Sequence, residues 1–92
     1  MRAPHWHTNP DYSSVPTIDI GDIIHLEFCD TFEYVAKAKV LSIGQRLTAV
    51  VNGIFDAEDR VNITSSNVLQ LVGKHIECER KSIRKVIKPP GA

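Results

Sequence analysis

The sequence predicts an all-β fold: a small antiparallel barrel or half-barrel of five to six strands, preceded by an extended N-terminal arm. Three observations predict it, namely short segments of alternating apolar and polar residues, turn residues between those segments, and regularly spaced prolines near the N terminus. A length of 92 residues allows one small domain. We divide the chain into an arm at 1–17, a barrel domain at 18–88 and a C-terminal tail at 89–92.

The arm is set apart by Pro4, Pro10 and Pro16, which recur at intervals of six residues. Proline removes a backbone donor and biases the preceding residue toward extended conformations, so we expect an irregular or polyproline-like segment. Trp6 and Tyr12 lie between these prolines and carry large apolar areas that gain from burial. We therefore expect them to attach the arm either to the barrel or to a neighbouring subunit.

Three strands are predicted between residues 23 and 55. Ile24, Leu26 and Phe28 fall on one face of the first strand. Turn residues at 30–31 lead into a second strand at 34–43, for which a helix remains an alternative because alanine and lysine form strands poorly. A hairpin at 44–46 then leads into a third strand at 47–55, in which Gly53 predicts a bulge or bend that curls the sheet.

The remaining elements are shorter. A polar loop is predicted at 56–67, with only Val61 and Ile63 packed against the core. A fourth strand at 68–72 and a fifth at 74–78 follow, then a charged turn at 79–82 and a last apolar segment at 83–87. A single helical turn at 65–69 or at 82–85 is the alternative, because the spacing of polar and apolar residues there is ambiguous.

Composition excludes several classes of protein. No apolar run is long enough for a membrane-spanning helix, and the N-terminal residues lack the apolar core of a secretory signal. We therefore expect a cytoplasmic protein in which the whole chain is mature, with no membrane as partner. Cys29 and Cys78 lie far apart without a CxxC motif, so unpaired thiols are favoured over a disulfide.

Charge is balanced overall but not along the chain, which holds eleven basic and eleven acidic residues. Residues 11–33 include six acidic residues and no Lys or Arg, whereas the segment 74–88 is basic. The basic segment could contact nucleic-acid phosphates, meet the acidic end of another copy, or pair with acidic residues of the same barrel. The residues concerned are Lys74, Arg80, Lys81, Arg84, Lys85 and Lys88.

Two clusters could hold a cation. His5 and His7 would share one face of an extended segment and are the candidates for a metal site, although two ligands do not complete one, and His25 and His75 would have to join them. Asp56, Glu58 and Asp59 place three carboxylates within four residues. The spacing fails the EF-hand pattern, so we interpret this acidic cluster as a solvated turn that could pair with basic residues of a neighbour.

Catalytic signatures are absent from the sequence. No serine lies in a GxSxG motif, no glycine-rich loop could hold a phosphate, and neither cysteine has surroundings that would lower its pKa. We predict no catalytic residue, no resident metal and no cofactor.

Gly21-Asp22-Ile23-Ile24 opens one strand and Leu71-Val72-Gly73-Lys74 leads into another. In this strand rhythm the chain resembles SH3-like and Sm-like small β-barrels, although no peptide-binding or RNA-binding motif of those classes is present. In overall character, including 72–74 and 83–87, it is also similar to the small orphan proteins of mobile integron gene cassettes. That resemblance implies a homo-oligomer without an assigned activity.

The leading hypothesis is a non-enzymatic binding or interaction module that self-associates, most simply as a dimer. The first alternative is a nucleic-acid-binding barrel that uses the basic segment 74–88. The second is a small-molecule-binding protein or enzyme with a pocket at a subunit interface, formed by His25, His75, Glu77 or the acidic cluster.

Overall fold

The computed structural model describes residues 3–90 and confirms the all-β class. Its centre is one five-stranded antiparallel sheet with the strand order β4-β3-β2-β1-β5. The sheet does not close, because its edge strands do not pair with each other, so the fold is a half-barrel. The strands are β1 (Ile23–Asp30), β2 (Phe32–Ile43), β3 (Leu47–Asp56), β4 (His75–Cys78) and β5 (Ile83–Ile87).

Alternation along each strand divides the sheet into a concave core face and an outer face. The fully buried side chains of β1 are Ile24, Leu26 and Phe28, as the sequence predicts. Small residues on the central strand, Ala36 and Ala38, leave room on the concave side for these larger side chains. The core is therefore formed inside the curve of a single sheet.

Interruptions in the strand pairing bend the sheet. The partner of Lys37 is Gly53, but the partner of Ala38 is Val51, so Asn52 is an extra residue on β3. An extra residue bends its strand and increases the local twist. The predicted bulge at Gly53 is thus confirmed, and two further irregularities lie between Val40 and Ser42 in the pairing with β3 and between His25 and Leu26 in the pairing with β5.

The predicted fourth strand at 68–72 is wrong. Asn67–Leu71 instead forms a 3₁₀ helix, whose N-terminal cap is the Ser66 side chain accepting a hydrogen bond from the Val68 amide. Val68 and Leu71 are three residues apart and both buried, which is helical rather than strand spacing. The alternative of a helical turn near residues 65–69 describes this segment better.

The polar loop after β3 is confirmed, but the expectation that Val61 is packed is wrong. Asp56 Oδ1 accepts hydrogen bonds from the amides of Arg60 at 2.7 Å and Val61 at 3.1 Å, and Val61 is 58% exposed. Ile63 does pack against the core. The side chain of Asp56 therefore shapes the turn and leaves Val61 in solvent.

Three 3₁₀ helices, Tyr12–Ser14, Asn67–Leu71 and Arg80–Ser82, are the helical segments of the described part of the chain. None of them has the length or the apolar character to cross a bilayer. The first interrupts the otherwise irregular arm and was not expected from its sequence.

The backbone of the β1–β2 hairpin is strained at Thr31, which has a φ of 67°. A β-branched residue in this left-handed region is disfavoured, whereas asparagine tolerates it. We expect Thr31→Asn to raise the free energy of unfolding by about 0.5–1 kcal/mol in urea denaturation. Thr64→Asn, in the exposed polar loop, is the control and should change stability by less than about 0.5 kcal/mol. An unchanged or lower stability for Thr31→Asn would contradict the assignment of strain.

Candidate functional site

The most distinctive region is the gap between the two edge strands of the open sheet, which we call the seam. β4 and β5 end the strand order and do not pair with each other. Residues 3–9, the part of the predicted arm that we call the arm from here on, lie in the seam and form hydrogen bonds to both sides of it. A segment of the same chain that belongs to no strand therefore bridges the two sides of the seam.

On the β1 side, the arm continues the sheet where β5 stops. The pairing between β1 and β5 ends at Leu26 with Ile83, which leaves the next carbonyl, that of Glu27, without a partner on β5. The His7 amide donates a hydrogen bond to this carbonyl at 2.8 Å. The arm thus satisfies a backbone acceptor that the short β5 cannot reach.

Asn9 fixes the end of this contact and is a residue that our sequence reasoning missed. It is buried, its amide donates to the Lys81 carbonyl at 2.7 Å, and its Nδ2 donates to the Ile83 carbonyl at 2.9 Å. Its Oδ1 accepts from the Asp11 amide at 3.0 Å. The available signal was the sequence Asn9-Pro10-Asp11, which is typical of a turn.

On the β4 side, the arm is held by Trp6. Its indole Nε1 donates a hydrogen bond to the Glu77 carbonyl at 3.0 Å. Its ring meets Phe28 edge to face, with the ring centroids 5.6 Å apart and the planes at 89°. Trp6 therefore covers the open end of the core while it binds the β4 edge, whereas Tyr12 is 50% exposed.

The outer edge of β4 presents backbone groups to the seam. The Lys74 carbonyl accepts from the Val51 amide on β3, so by alternation the backbone groups of Ile76 also face β3. Those of His75 and Glu77 then point away from the sheet, which agrees with the Trp6 contact to the Glu77 carbonyl. Within residues 3–90, no strand pairs with this edge.

Two hollows flank the arm. A cleft of about 620 Å³ lies between the arm and β4, and Pro4, Trp6, His75 and Glu77 are among its lining residues. A second hollow of about 450 Å³ lies on the other side of the arm and is bordered by Cys29. His5 lines both hollows. The arm is consequently held at a few points and is not buried along its length.

Charges of both signs surround the cleft beside β4. Arg46 Nε lies 3.7 Å from Glu77 Oε2, and Lys81 Nζ lies 3.2 Å from Glu79 Oε2. All four side chains are about half exposed or more, so each pair contributes little to stability. The cleft therefore offers basic and acidic groups to a partner.

The two histidines of the arm, His5 and His7, have different surroundings and do not form a shared site. His7 Nε2 lies 2.9 Å from Glu33 Oε2, while His5 lines the hollows. Across residues 3–90, no three His, Cys, Asp or Glu side chains are grouped closely enough to hold a metal ion.

A separate polar cluster lies on the outer face of the sheet, around His25. This residue is only 3% exposed, although its position in the alternation predicts a solvent-facing side chain. Its Nδ1 lies 3.6 Å from Asp59 Oδ2, and Asp59 Oδ1 lies 2.7 Å from Lys37 Nζ. The Lys37 ammonium also lies 3.8 Å from the centroid of the Phe55 ring. The loop after β3 thus folds back and buries an imidazole.

The three acidic residues of this loop have separate positions. Asp56 shapes the turn, and the hydrogen bonds from the Arg60 and Val61 amides hold the pKa of its carboxyl below the usual value. Asp59 contacts Lys37 and His25, while Glu58 is exposed. The acidic cluster is therefore divided between turn formation and an ion pair. His25 and Asp59 meet, whereas His75 and Glu77 line the cleft.

Three of the six basic residues in the segment 74–88 pair with acidic residues of the same chain. Arg84 lies 3.7 Å from Glu27, and Lys81 pairs with Glu79. Lys88 Nζ contacts both Asp19 and Asp22 and donates to the Thr17 carbonyl at 2.7 Å. Burial raises the pKa of Asp22, but the hydrogen bonds from Lys88 and the Asp19 amide outweigh that effect, and the net shift is downward.

Both cysteines are free thiols, as the sequence favours. Cys29 is exposed near the arm, whereas Cys78 is buried on β4. Burial raises the pKa of the Cys78 thiol to about 11. Cys29 is therefore the more reactive of the two.

The contacts of Trp6 give a stability prediction. Trp6→Ala removes the edge-to-face contact with Phe28 and the hydrogen bond to Glu77, so we expect a loss of about 2–3 kcal/mol in urea denaturation. Trp6→Phe keeps an aromatic ring but lacks the N–H, so about 1 kcal/mol should be lost. Tyr12→Ala is the control and should change stability by less than about 0.5 kcal/mol. Equal effects of Trp6→Ala and Tyr12→Ala would contradict the closing role of Trp6.

The burial of His25 gives a pH prediction. Desolvation lowers its pKa below 6.5; the Asp59 charge opposes this shift and the charges of Lys37 and Lys85 add to it. Because the unfolded chain then binds a proton more readily, stability is full above pH 6.5 and falls as the pH drops from there toward the folded-state pKa.

This pH prediction is checked by urea denaturation between pH 7.5 and pH 5, a range of about two and a half units around the histidine pKa. His25→Gln should reduce the loss of stability on acidification, while His75→Gln, an exposed histidine on β4, should leave it unchanged. The prediction would be contradicted if the free energy of unfolding of His25→Gln depended on pH as strongly as that of the wild type.

Comparison of the chain with protein-family models, with curated proteins and with solved structures found no match.

Proposed function

We propose that the protein is a non-enzymatic interaction module that self-associates through the seam, with a second copy of the chain as its partner. The observation that carries this proposal is the outer edge of β4. Its outward backbone groups are unpaired with any strand among residues 3–90, and a cleft of about 620 Å³ lies beside it. An exposed sheet edge is a ready template for pairing with another chain.

Charge complementarity favours a second copy as the partner. In a two-fold symmetric dimer, each surface meets itself, so a self-complementary surface needs both signs of charge. The cleft is lined by two basic residues, Arg46 and Lys81, and by two acidic residues, Glu77 and Glu79. A symmetric contact would let the basic groups of one copy meet the acidic groups of the other.

The size of the domain also supports association. A chain of 92 residues buries a smaller fraction of its surface than a larger domain does, so it gains more from covering apolar surface at an interface. Pro4 and Trp6, both half-buried, supply apolar surface in the cleft.

The alternatives receive less support from the structure. Three of the six basic residues in 74–88 form ion pairs with acidic residues of the same chain, which reduces the free positive charge for nucleic acid. His25 is too buried to reach a substrate in this conformation. Cytoplasmic localisation and the resemblance to integron cassette proteins stay predictions from the sequence.

Glu77→Lys tests the proposed surface. The new lysine is a third cation beside Arg46 and Lys81. We therefore expect the dissociation constant of the dimer to rise about tenfold, which corresponds to about 1.4 kcal/mol. The measurement is size-exclusion chromatography with light scattering over a series of protein concentrations.

Glu58→Lys makes the same charge change at an exposed position of the loop after β3 and is the matched control. It should leave the dissociation constant unchanged. Wild-type protein that stays monomeric at every concentration would overturn self-association, and equal effects of both variants would overturn the choice of the cleft. Retention of mixed oligonucleotides that disappears with added salt would favour the nucleic-acid alternative instead.

A further inference from the structure

We infer that the arm is exchanged between copies: residues 3–9 of one chain occupy the seam of a second chain, and the reverse contact completes a dimer. This inference rests on the proposed self-association and names the segment that produces it. Exchange of an identical element is a route to dimers that needs little new surface, because the contacts already exist in the single chain.

The contacts that hold the arm do not depend on its covalent connection. Trp6 and its acceptor, Glu77, are 71 positions apart in sequence, and Asn9 and its acceptor, Ile83, are 74 positions apart. The backbone hydrogen bond from His7 ends on Glu27 in β1. A second copy would supply the same indole, amide and side-chain amide to the same acceptors. The contacts themselves are therefore the same within one chain and between two, and the entropy cost of association has to be offset by further surface buried between the copies.

The segment that joins the arm to the sheet, residues 10–17, can change its path with few losses. Its residues are exposed except Val15, which is half-buried and packs against the core, so the contact of this one side chain is the main loss. The backbone hydrogen bonds of its 3₁₀ turn are local, from Ser14 to Asp11 and from Val15 to Tyr12. Pro10 and Pro16 have no amide hydrogen to lose. We call this segment the hinge.

The hinge is long enough to reach a neighbouring seam. Eight extended residues span up to about 26 Å. The described molecule measures 32 × 28 × 24 Å. At the core end the hinge is fixed, because Lys88 donates to the Thr17 carbonyl and Ile18 is buried. When two seams face each other, the hinge can cross between them without unfolding either sheet.

The two hollows beside the arm also favour exchange. A segment packed on all sides would have to break many contacts before it could leave, whereas this arm is bordered by a cleft of about 620 Å³ and a hollow of about 450 Å³. Its anchors are Trp6, His7 and Asn9, and the contacts of all three can form again in the partner. The kinetic barrier therefore comes from withdrawing one indole ring, one buried side-chain amide and the contacts of His7 with Glu27 and Glu33.

Disulfide trapping on the full chain tests the exchange, because His5 and Cys29 line the same hollow. The donor carries His5→Cys and Cys29→Ser, and the acceptor is the wild-type chain with an affinity tag that makes it larger. The two are unfolded together in urea, refolded as a mixture at a concentration where light scattering shows dimer, and oxidised with glutathione disulfide. Cys78 is buried and does not compete.

In an exchanged dimer, the donor arm lies in the acceptor seam and its new cysteine meets Cys29, giving a donor–acceptor disulfide on a non-reducing gel. The matched control donor carries Ser13→Cys with Cys29→Ser, which places the thiol in the exposed hinge. We expect the His5→Cys donor to give at least about tenfold more of the mixed disulfide than the control, by analogy with the effective concentration of a tethered group.

Each other outcome is decisive. If light scattering shows a dimer but both donors give the same low yield of the donor–acceptor disulfide, arm exchange is overturned and self-association is retained. Monomer at every concentration overturns both. A single chain carrying His5→Cys and Cys29 together supplies the second measurement: an internal disulfide with no covalent dimer, at a concentration where the protein is dimeric, also overturns the exchange.

Discussion

The fold depends on one side chain that closes an open sheet. Five strands curve around a core but leave β4 and β5 apart, and the fully buried ring of Phe28 lies against the arm. Trp6 covers this ring edge to face and donates its indole N–H to the Glu77 carbonyl on β4. One residue thus buries apolar surface and satisfies a backbone acceptor on an edge strand. Both effects are large for a domain whose total stability is small.

The closing contact also determines what the surface can do. Because the arm is attached at Trp6, His7 and Asn9 and is otherwise bordered by hollows, the seam is already a binding site for an extended peptide whose occupant is the chain itself. A second copy offers the same peptide. The proposed association therefore needs no feature beyond those that complete the single chain, and the ion pairs beside β4 supply charges that a symmetric partner can share.

The sequence was informative where alternation decides burial and less so where tertiary contacts do. Ile24, Leu26 and Phe28 follow the period of a half-buried strand, and the bulge at Gly53 follows from a glycine within a strand. Val68 and Leu71 are three residues apart, which is 3₁₀ rather than strand spacing, and the Ser66 side chain caps that helix, so the predicted strand at 68–72 gave too much weight to the apolar run. His25 is buried where Asp59, 34 positions later in the chain, folds over it, and Asn9 is buried where its side-chain amide meets the Ile83 carbonyl. No local pattern contains that information.

The measurement that tests this account most directly is NMR of the Trp6 side chain, the single indole in the protein. The account predicts that the indole N–H exchanges with solvent deuterium much more slowly than a free indole, and that its ring protons show nuclear Overhauser effects to the Phe28 ring. The same result is expected whether the arm lies in its own seam or in that of a partner. Rapid exchange of the indole N–H, together with no contact to Phe28, would contradict closure of the half-barrel by the arm.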